Sequence, residues 1–454
     1  MKYFTLSFFL LVIKLLGDKP SVILILADDM GVGGLGCYGN TFVETPNIDS
    51  LAKGGLRFTN GISNYPTCKP SRAAILSGKY GSKTGVVRVS NKHIGSEELI
   101  KWDVPKCLEL KSTDVSMGKV MKDSGYHTAS YGKWHVSNHN KPEGHPTAFG
   151  FDDALVSAST HYGFSTVPEV EVPKDLTSTE FFTQKALDFI EEKNDEEDPF
   201  FLYLPFYLVH APFTPKAEDL KYFKNKMKEE SDEQVIQVAA MTKMLDDCVG
   251  RIINKLKQLN SLEDTFIIFT SDNGSYNTAF NLNFREKKGQ LYEGGVRVPY
   301  IFHWPNRIKP ETTSSERIAG IDLVSTFVEL TGYSDKSLDL DGVSLLPLLK
   351  GDITKLEERS LFCYYPKYAR FNKNTERWGD SWRHSIYQGQ FKLIEYPEYG
   401  EVELFDLKQD PEESQDMSAR YPEKSQKMVQ ELHKWLDSCD VLKRSVNKNY
   451  SLKD

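Results

Sequence analysis

The stretch SVILILADD, residues 21–29, decides how the rest of the chain is read. From Ser21 to Ala27 no position is charged, and most side chains are branched aliphatics. Such a run suits a central parallel strand buried on both faces. Two carboxylates, Asp28 and Asp29, stand at its end, followed by the glycine-rich MGVGGLGCYGN. Similar apolar runs recur as FFLYLPFYLV from Phe200, TFIIFTS from Thr265 and VPYIFHW from Val298. Helical patterns separate them. Thr177 to Asn194 places Phe182, Ala186 and Ile190 on one face, and Ser231 to Asn260 does the same with Val235, Val238, Leu245, Val249, Ile252 and Leu256. Strands alternating with helices predict an α/β fold with a central, mostly parallel sheet flanked by helices.

The pattern changes after Gly351. FKLIEYPEYGEVELFDL reads as a hairpin around a Pro/Gly turn, and Tyr421 to Ser438 as a closing amphipathic helix. The expected organisation is therefore a main domain over 18–350 and a smaller C-terminal α+β subdomain over 351–454. Residues 1–17, MKYFTLSFFLLVIKLLG, read as a secretory signal peptide, too short for a comfortable bilayer span. No other stretch is apolar enough to cross a membrane, so no stable membrane span is expected. The 454-residue chain has a formal net charge of −8, which argues against a nucleic-acid partner. Its six cysteines, at 37, 68, 107, 248, 363 and 439, show no CxxC pair, so zinc and thioredoxin-like readings fail. One or two disulfides are compatible with export. The acidic EEKNDEEDP from Glu191 reads as a solvated helix end and loop.

In open α/β sheets ligands collect beyond the carboxyl ends of the strands. Four polar groups fall there: Asp28-Asp29, the GKWH of 132–135, His210 after FYLV, and Asp272-Asn273 after TFIIFTS. Either acidic pair alone reads equally as a helix cap or an Asx-turn. Together, three carboxylates and an amide oxygen make a site for a hard divalent cation, calcium or magnesium. Asn273 also opens an N-G-S sequon, whose place at a sheet end argues against glycosylation. In GYHTASYGKWH, Lys133 and His135 stand two apart, on one side of an extended segment: a point charge for an anion and a group that titrates near neutrality. REKKGQLYEGGVRVP, residues 285–299, adds Lys287 and Lys288 on a glycine-containing loop. TCKPSRAAILSG leads from a loop into a helix, placing Cys68 near a helix N-terminus with Arg72 able to reach back.

C-x-P-S-R at 68–72, GYxTxxxGKxH at 125–135, the ADD opening, VHAP, SDNG and KxxxxEGGxRxP stand in the order seen in the type I sulfatases. The chain resembles that family from Asp28 to Pro299, and its tail is similar to the family's small C-terminal subdomain. The resemblance implies an alkaline-phosphatase-like fold and hydrolysis of sulfate esters. It implies that a formylglycine-generating maturase converts Cys68 to Cα-formylglycine (3-oxoalanine), hydrated to a geminal diol. It further implies that Asp28, Asp29, Asp272, Asn273 and the modified residue 68 hold one calcium ion per chain. Arg72, Lys133 and Lys288 would surround the diol and the sulfate, His135 would serve the diol, and His210 the leaving-group side. The chemistry suits these residue types. A thiol attacking sulfur would leave an adduct hard to clear, whereas a diol attacks with one hydroxyl and expels sulfate with the other. Lys69 and Tyr131 depart from the small residues usual at their positions. The substrate expected is a sulfated glycan or a small sulfated molecule, in a periplasmic or secreted setting. The alternatives are a phosphodiester or phosphonate monoester hydrolase on the same scaffold, and a non-catalytic sulfated-glycan-binding protein. Two aromatic and basic segments, SASTHYGFSTVPEVEVP from Ser157 and YARFNKNTERWGDSWRHS from Tyr368, are expected to meet the saccharide, with Arg383 and His384 at the mouth of the pocket.

Overall fold

The computed structural model describes residues 19–104, 106–157, 160–226, 232–335, 337–439 and 445–450. Residues 1–17, expected to be a signal peptide, lie outside them. The main body is one nine-stranded sheet. Its strands are β1 (Ser21–Ala27), β2 (Leu56–Ile62), β3 (His127–Lys133), β4 (Asp153–Ser157), β5 (Thr166–Val167), β6 (Phe200–Pro205), β7 (Thr265–Ser271), β8 (Tyr300–His303) and β9 (Thr312–Ala319), in spatial order β9-β2-β8-β7-β1-β6-β3-β4-β5. The central run β7-β1-β6-β3-β4 is parallel throughout; β8, between β2 and β7, is antiparallel to both.

The fully apolar reading of β1 has a direct consequence in packing. Ile23, Ile25 and Ala27 enter the core on one face, and Val22, Leu24 and Leu26 enter the core on the other. The first face is covered by α1 (Pro46–Lys53), and the second by α2 (Cys68–Ser77) and α3 (Met117–Asp123). Helices α4 (Ser178–Lys193) and α5 (Glu233–Gln258) complete the first layer, and α6 (Asp322–Thr331) the second. Helix α4 begins at a capping box in which Thr177 accepts from the Glu180 amide and Glu180 accepts from the Thr177 amide.

One strand is shorter than its apolar run suggests. The FFLYLPFYLV stretch leaves the sheet at Pro205, which has no N–H to continue the ladder, and turns at Tyr207, whose carbonyl accepts from the His210 amide. His210 therefore sits on a loop, five residues past β6. That loop is held to β1 by two backbone bonds, Asp28 N to Leu208 O and Val209 N to Asp28 O.

The C-terminal subdomain is a four-stranded antiparallel sheet. Its strands β10 (Ser360–Tyr365), β13 (Arg383–Gln388), β14 (Phe391–Tyr396) and β15 (Glu401–Asp406) pair in that order. A two-stranded ribbon, β11 (Ala369–Asn372) with β12 (Arg377–Asp380), is inserted, and α7 (Pro422–Asp437) packs on the sheet. The expected hairpin and closing helix are both present. All six cysteines are free, so the disulfides compatible with export are not formed. Among the described residues, no helix is long and apolar enough to cross a membrane.

Candidate active site

Strand register assembles the site. Ala27 of β1 lies opposite Ser271 of β7, so the next residues, Asp28 and Asp272, emerge side by side. Strand β3 delivers Lys133 at the same edge, two strands away. Asp29 leaves the strand direction with a φ of 61°, the left-handed region that few non-glycine residues adopt. Its amide donates to Asp272 Oδ1 at 3.1 Å, and Asn273 Nδ2 donates to Asp29 Oδ1 at 2.9 Å. The two acidic pairs thus interlock.

Cys68 is the first residue of α2, with its thiol 3.5 Å from Asp29 Oδ1 and 3.3 Å from Lys288 Nζ. One turn on, Arg72 is wholly buried and does reach back. Its Nε donates to Asp272 Oδ2 at 2.7 Å, its Nη2 lies 3.3 Å from Asp28 Oδ1, and its Nη1 donates to the Lys133 carbonyl. Lys133 Nζ lies 2.5 Å from Asp28 Oδ2, and Lys288 Nζ lies 2.6 Å from Asp29 Oδ2. The Lys288 loop is fixed by Lys288 N to Ser275 O and Gly289 N to Pro66 O. Its return path explains the two glycines of EGGVR: a Cβ on Gly294 would fall 2.2 Å from Glu286 O, and one on Gly295 would fall 2.0 Å from Gln290 O.

Charge inside the cluster is tightly balanced. Three carboxylates face Arg72, Lys133 and Lys288. Burial opposes ionisation of Asp28, and Lys133 and Arg72 more than offset it, holding its carboxyl well below the usual range. Burial and neighbouring Asp28 push Asp272 up to about 7, against the pull of Arg72. Burial pushes the Cys68 thiol up, against Lys133 and Lys288. The ligand atoms of Asp28, Asp29, Cys68 and Asp272 all lie within 4.8 Å of one another. Asn273 Oδ1 is buried beside them and, among the described residues, accepts no hydrogen bond. Several hard oxygen donors and one orphaned amide oxygen fit an oxygen-ligated divalent ion.

The two histidines arrive by routes that strand periodicity does not describe. Strand β3 ends at Lys133, and His135 has a φ of 62°, so alternation does not put it on the Lys133 side. A backbone turn brings it within electrostatic reach of Lys133, Arg72 and Asp28. Burial, then Lys133 and Arg72, hold its pKa well below the ordinary value, and its Nδ1 is buried without a partner. His210 Nδ1 is 2.5 Å from the Ala211 carbonyl. A carbonyl only accepts, so Nδ1 carries the hydrogen and Nε2, 3.6 Å from Asp29 Oδ2, faces the cluster.

Two residues of this site were not singled out from the sequence. Tyr207 lies under Lys133 Nζ, 4.8 Å from the ring centroid, and its ring is 5.1 Å from that of His210. His161 donates from Nε2 to the His210 carbonyl at 2.7 Å and packs on Tyr207 at 4.8 Å. Both lie in aromatic stretches whose sequence gives no periodic signal. Tyr131, a departure from the family pattern, points into the core, where it packs on Phe189 and donates to Asp153. Arg383 and His384 do not line an open mouth. Arg383 is buried against Gln290 and Asp380, and His384 is buried with Nδ1 3.0 Å from Glu395.

The chain is similar to known proteins over most of its length. The family profile described as Sulfatase matches residues 20–333, and that described as N-sulphoglucosamine sulphohydrolase, C-terminal, matches 284–441. A sulfatase of Formosa agariphila is 29% identical, covering 92% of this chain and 89% of its own. The N-acetylgalactosamine-6-sulfatase of Canis lupus familiaris is 31% identical over 76% of this chain and 69% of its own. The solved structure of Ps i-CgsB in complex with k-i-k-neocarrahexaose superposes with a TM-score of 0.79 at 26% identity, covering 92% of this chain and 93% of that one.

Proposed function

The chain belongs to the sulfatase family and is a sulfuric ester hydrolase, and on that premise we propose that it removes sulfate from a sulfated carbohydrate, with a nucleophile made from Cys68 and one bound calcium ion. The observation that carries this reading is the convergence of Asp28, Asp29, Asp272 and Cys68 within 4.8 Å, beside the orphaned Asn273 oxygen. The carbohydrate class is supported by the relative named for N-acetylgalactosamine-6-sulfate and by the neighbour that holds a neocarrahexaose.

Asp28, Asp29, Asp272 and Asn273 would hold the calcium next to residue 68, where it would supply charge neutralisation at a sulfate oxygen. Formylglycine at position 68, as its hydrate, would supply the attacking oxygen. Cys68 is 1% exposed in the folded chain, so a maturase would have to meet it before folding.

The chain's own residues do the rest. Lys133, Lys288 and Arg72 hold positive charge around the sulfuryl group as its negative charge moves, which favours the transition state over the ground state. Tyr207 and the Asp28 carboxylate fix the position of Lys133. His210, with its Nδ1–H tied to Ala211, presents Nε2 to the cluster, and as the imidazolium it would give the Nε2 proton to the departing sugar oxygen and return to the Nδ1–H tautomer. His161 positions it by holding its carbonyl. His135, kept neutral by burial and neighbouring cations, has Nδ1 free to accept a proton when sulfate is expelled.

The segment 1–17 supports a periplasmic or secreted location. The experiment that tests the function is side-by-side turnover of an aryl sulfate and an aryl phosphodiester by protein produced with a maturase. Preference for the sulfate by about tenfold or more is expected. The reverse preference would make the protein a phosphodiester or phosphonate monoester hydrolase on the same scaffold. Glycan binding without turnover of either ester would make it a sulfated-glycan-binding protein.

A further inference from the structure

Outside the catalytic cluster, Arg88, His93 and Lys367 lie together and, among the described residues, make no ion pair with a carboxylate. Arg88 is 4% exposed. Its Nη1 lies 2.6 Å from His93 Nε2, its Nη2 donates to Asn91 Oδ1 at 3.2 Å, and its buried Nε has no partner. Among the described residues no carboxylate forms an ion pair with it. Burial lowers its pKa and outweighs the opposing pull of Cys107, Tyr364 and Glu97. Buried arginines are ordinarily paired, so this one is unusual.

Its contact with His93 is short of an acceptor. The Tyr368 amide points at His93 Nδ1 from 3.4 Å, and Arg88 Nη1 points at Nε2. Both are donors. A neutral imidazole carries one hydrogen, so either tautomer sets a donor against a donor. His93 is held neutral: burial, then Arg88 and Lys367, push it down to about 4.

Lys367 completes the group. It is half-buried and, among the described residues, makes no hydrogen bond or ion pair. Burial lowers its pKa, and nearby Arg370 and Lys288 add to the effect against the pull of Asp380. Backbone bonds bring the two segments together: Ile94 N to Tyr368 O and Arg370 N to Ile94 O. The group borders the catalytic loop. Tyr365, two residues before Lys367, has its hydroxyl 3.7 Å from where a Cβ on Gly289 would stand, next to Lys288. Lys288 in turn touches Cys68.

We propose that Lys367, His93 and Arg88 form a second anion subsite beside the catalytic cluster, taking a further sulfate or carboxylate group of the same saccharide. The proposal deepens the functional reading above and rests on it. An oxyanion there accepts from the donors that now face each other and gives Lys367 and Arg88 a counter-charge. The subsite selects saccharides that carry two anionic groups, and it is built where the C-terminal subdomain meets the main sheet domain.

The test is Lys367→Ala and Lys367→Arg in protein converted at position 68. Three substrates are used: 4-nitrophenyl sulfate, a disulfated disaccharide, and a monosulfated disaccharide with a uronate. Lys367→Ala is expected to lower kcat/KM for a disaccharide, relative to the aryl sulfate, by about tenfold, through KM, with Lys367→Arg recovering most of it. The disaccharide with the larger fall tells sulfate from carboxylate. An unchanged ratio, or an equal loss of kcat on all three, overturns the subsite. Calorimetric titration of Cys68→Ala with each of the two disaccharides gives a second readout, in which adding Lys367→Ala should weaken Kd for at least one of them by about tenfold. An unchanged Kd for both overturns the subsite whatever the turnover. Failure of converted wild-type protein to release sulfate from any ester overturns the functional reading instead, and the titration then decides the subsite alone.

Discussion

Two buried charge clusters lie on either side of the loop 285–299, and they differ in whether they close. On the subdomain side, Glu293 is paired with Arg297 and with Lys392 at 2.9 Å, and Lys392 also meets Glu413 at 2.7 Å. Tyr387 donates to Glu293, and the Glu293 amide donates to Glu413. Two carboxylates meet two cations, and the cluster is sealed in protein. On the sheet side, three carboxylates meet three cations, yet Asn273 Oδ1 is left over among the described residues. Burial pushes one carboxyl of each cluster, Asp272 and Glu413, up to about 7, so that property is common to both. The closed cluster joins the subdomain to the catalytic loop. The open one leaves an oxygen donor free for the proposed cation. Burial alone does not separate the two clusters; the difference is the Asn273 amide oxygen, which has neither a hydrogen-bond donor nor an ion-pair partner among the described residues.

The largest expected effect breaks the open cluster chemically. Cys68→Ala should lower sulfate release by roughly 10⁴-fold or more while costing about 1 kcal/mol of stability, measured by initial rates and thermal unfolding. Lys392→Met should do the opposite. Leaving Glu293 and Glu413 buried short of a cation should destabilise the protein by about 3–5 kcal/mol, read as a drop in denaturation midpoint. A Lys392→Met protein as stable as wild type would contradict the structural role. Calcium separates the two clusters more gently. At a hundredfold excess over Kd it should stabilise the wild-type chain by about 2.7 kcal/mol. The gain should vanish in Asp29→Ala and persist in Gln388→Ala, a C-terminal site away from the cluster.

The smallest effect uses pH. Glu395, between His384 and His433, has its pKa lowered from 4.5 to about 2: burial opposes this, and hydrogen bonds and charge from the two histidines prevail. A depressed carboxylate contributes stability above its unfolded value and loses it as pH falls through the folded one. Stability should therefore decline between about pH 4.5 and pH 2 by about 2 kcal/mol, a figure discounted because His433 is partly exposed. Glu395→Gln should flatten that part of the acid limb.

Much of the open cluster was legible because it sits at strand ends. SVILILA and TFIIFTS are apolar on both faces, so they fixed central strands, and the acids that follow had to emerge at one edge. Arg72 was legible from its distance of one helical turn from Cys68. His135 and His210 were named from residue type and family resemblance, but their placement was misread. A left-handed residue breaks alternation in one case, and Pro205 ends the strand early in the other. Tyr207 and His161 carry no periodic signal. Arg383 and His384 are expected at the pocket mouth because their segment is rich in aromatic and basic residues, a composition that does not say which side chains are buried. Here the main domain covers one side of β13 and α7 the other, and both residues are buried. Lys367 is far in sequence from Arg88 and His93, and backbone pairing of the loop at Ile94 with Tyr368 and Arg370 brings it to them.

The central claim is that an oxygen-lined cation site and a converted Cys68 act together on a sulfate ester. The most direct measurement titrates conversion: protein batches made with graded amounts of maturase, peptide mass spectrometry across residues 66–72, and sulfate release at saturating calcium. The account predicts a rate proportional to the aldehyde fraction at position 68 and no rate from the thiol. Full turnover by unconverted thiol protein, or none from fully converted, calcium-loaded protein on any sulfate ester, would contradict it.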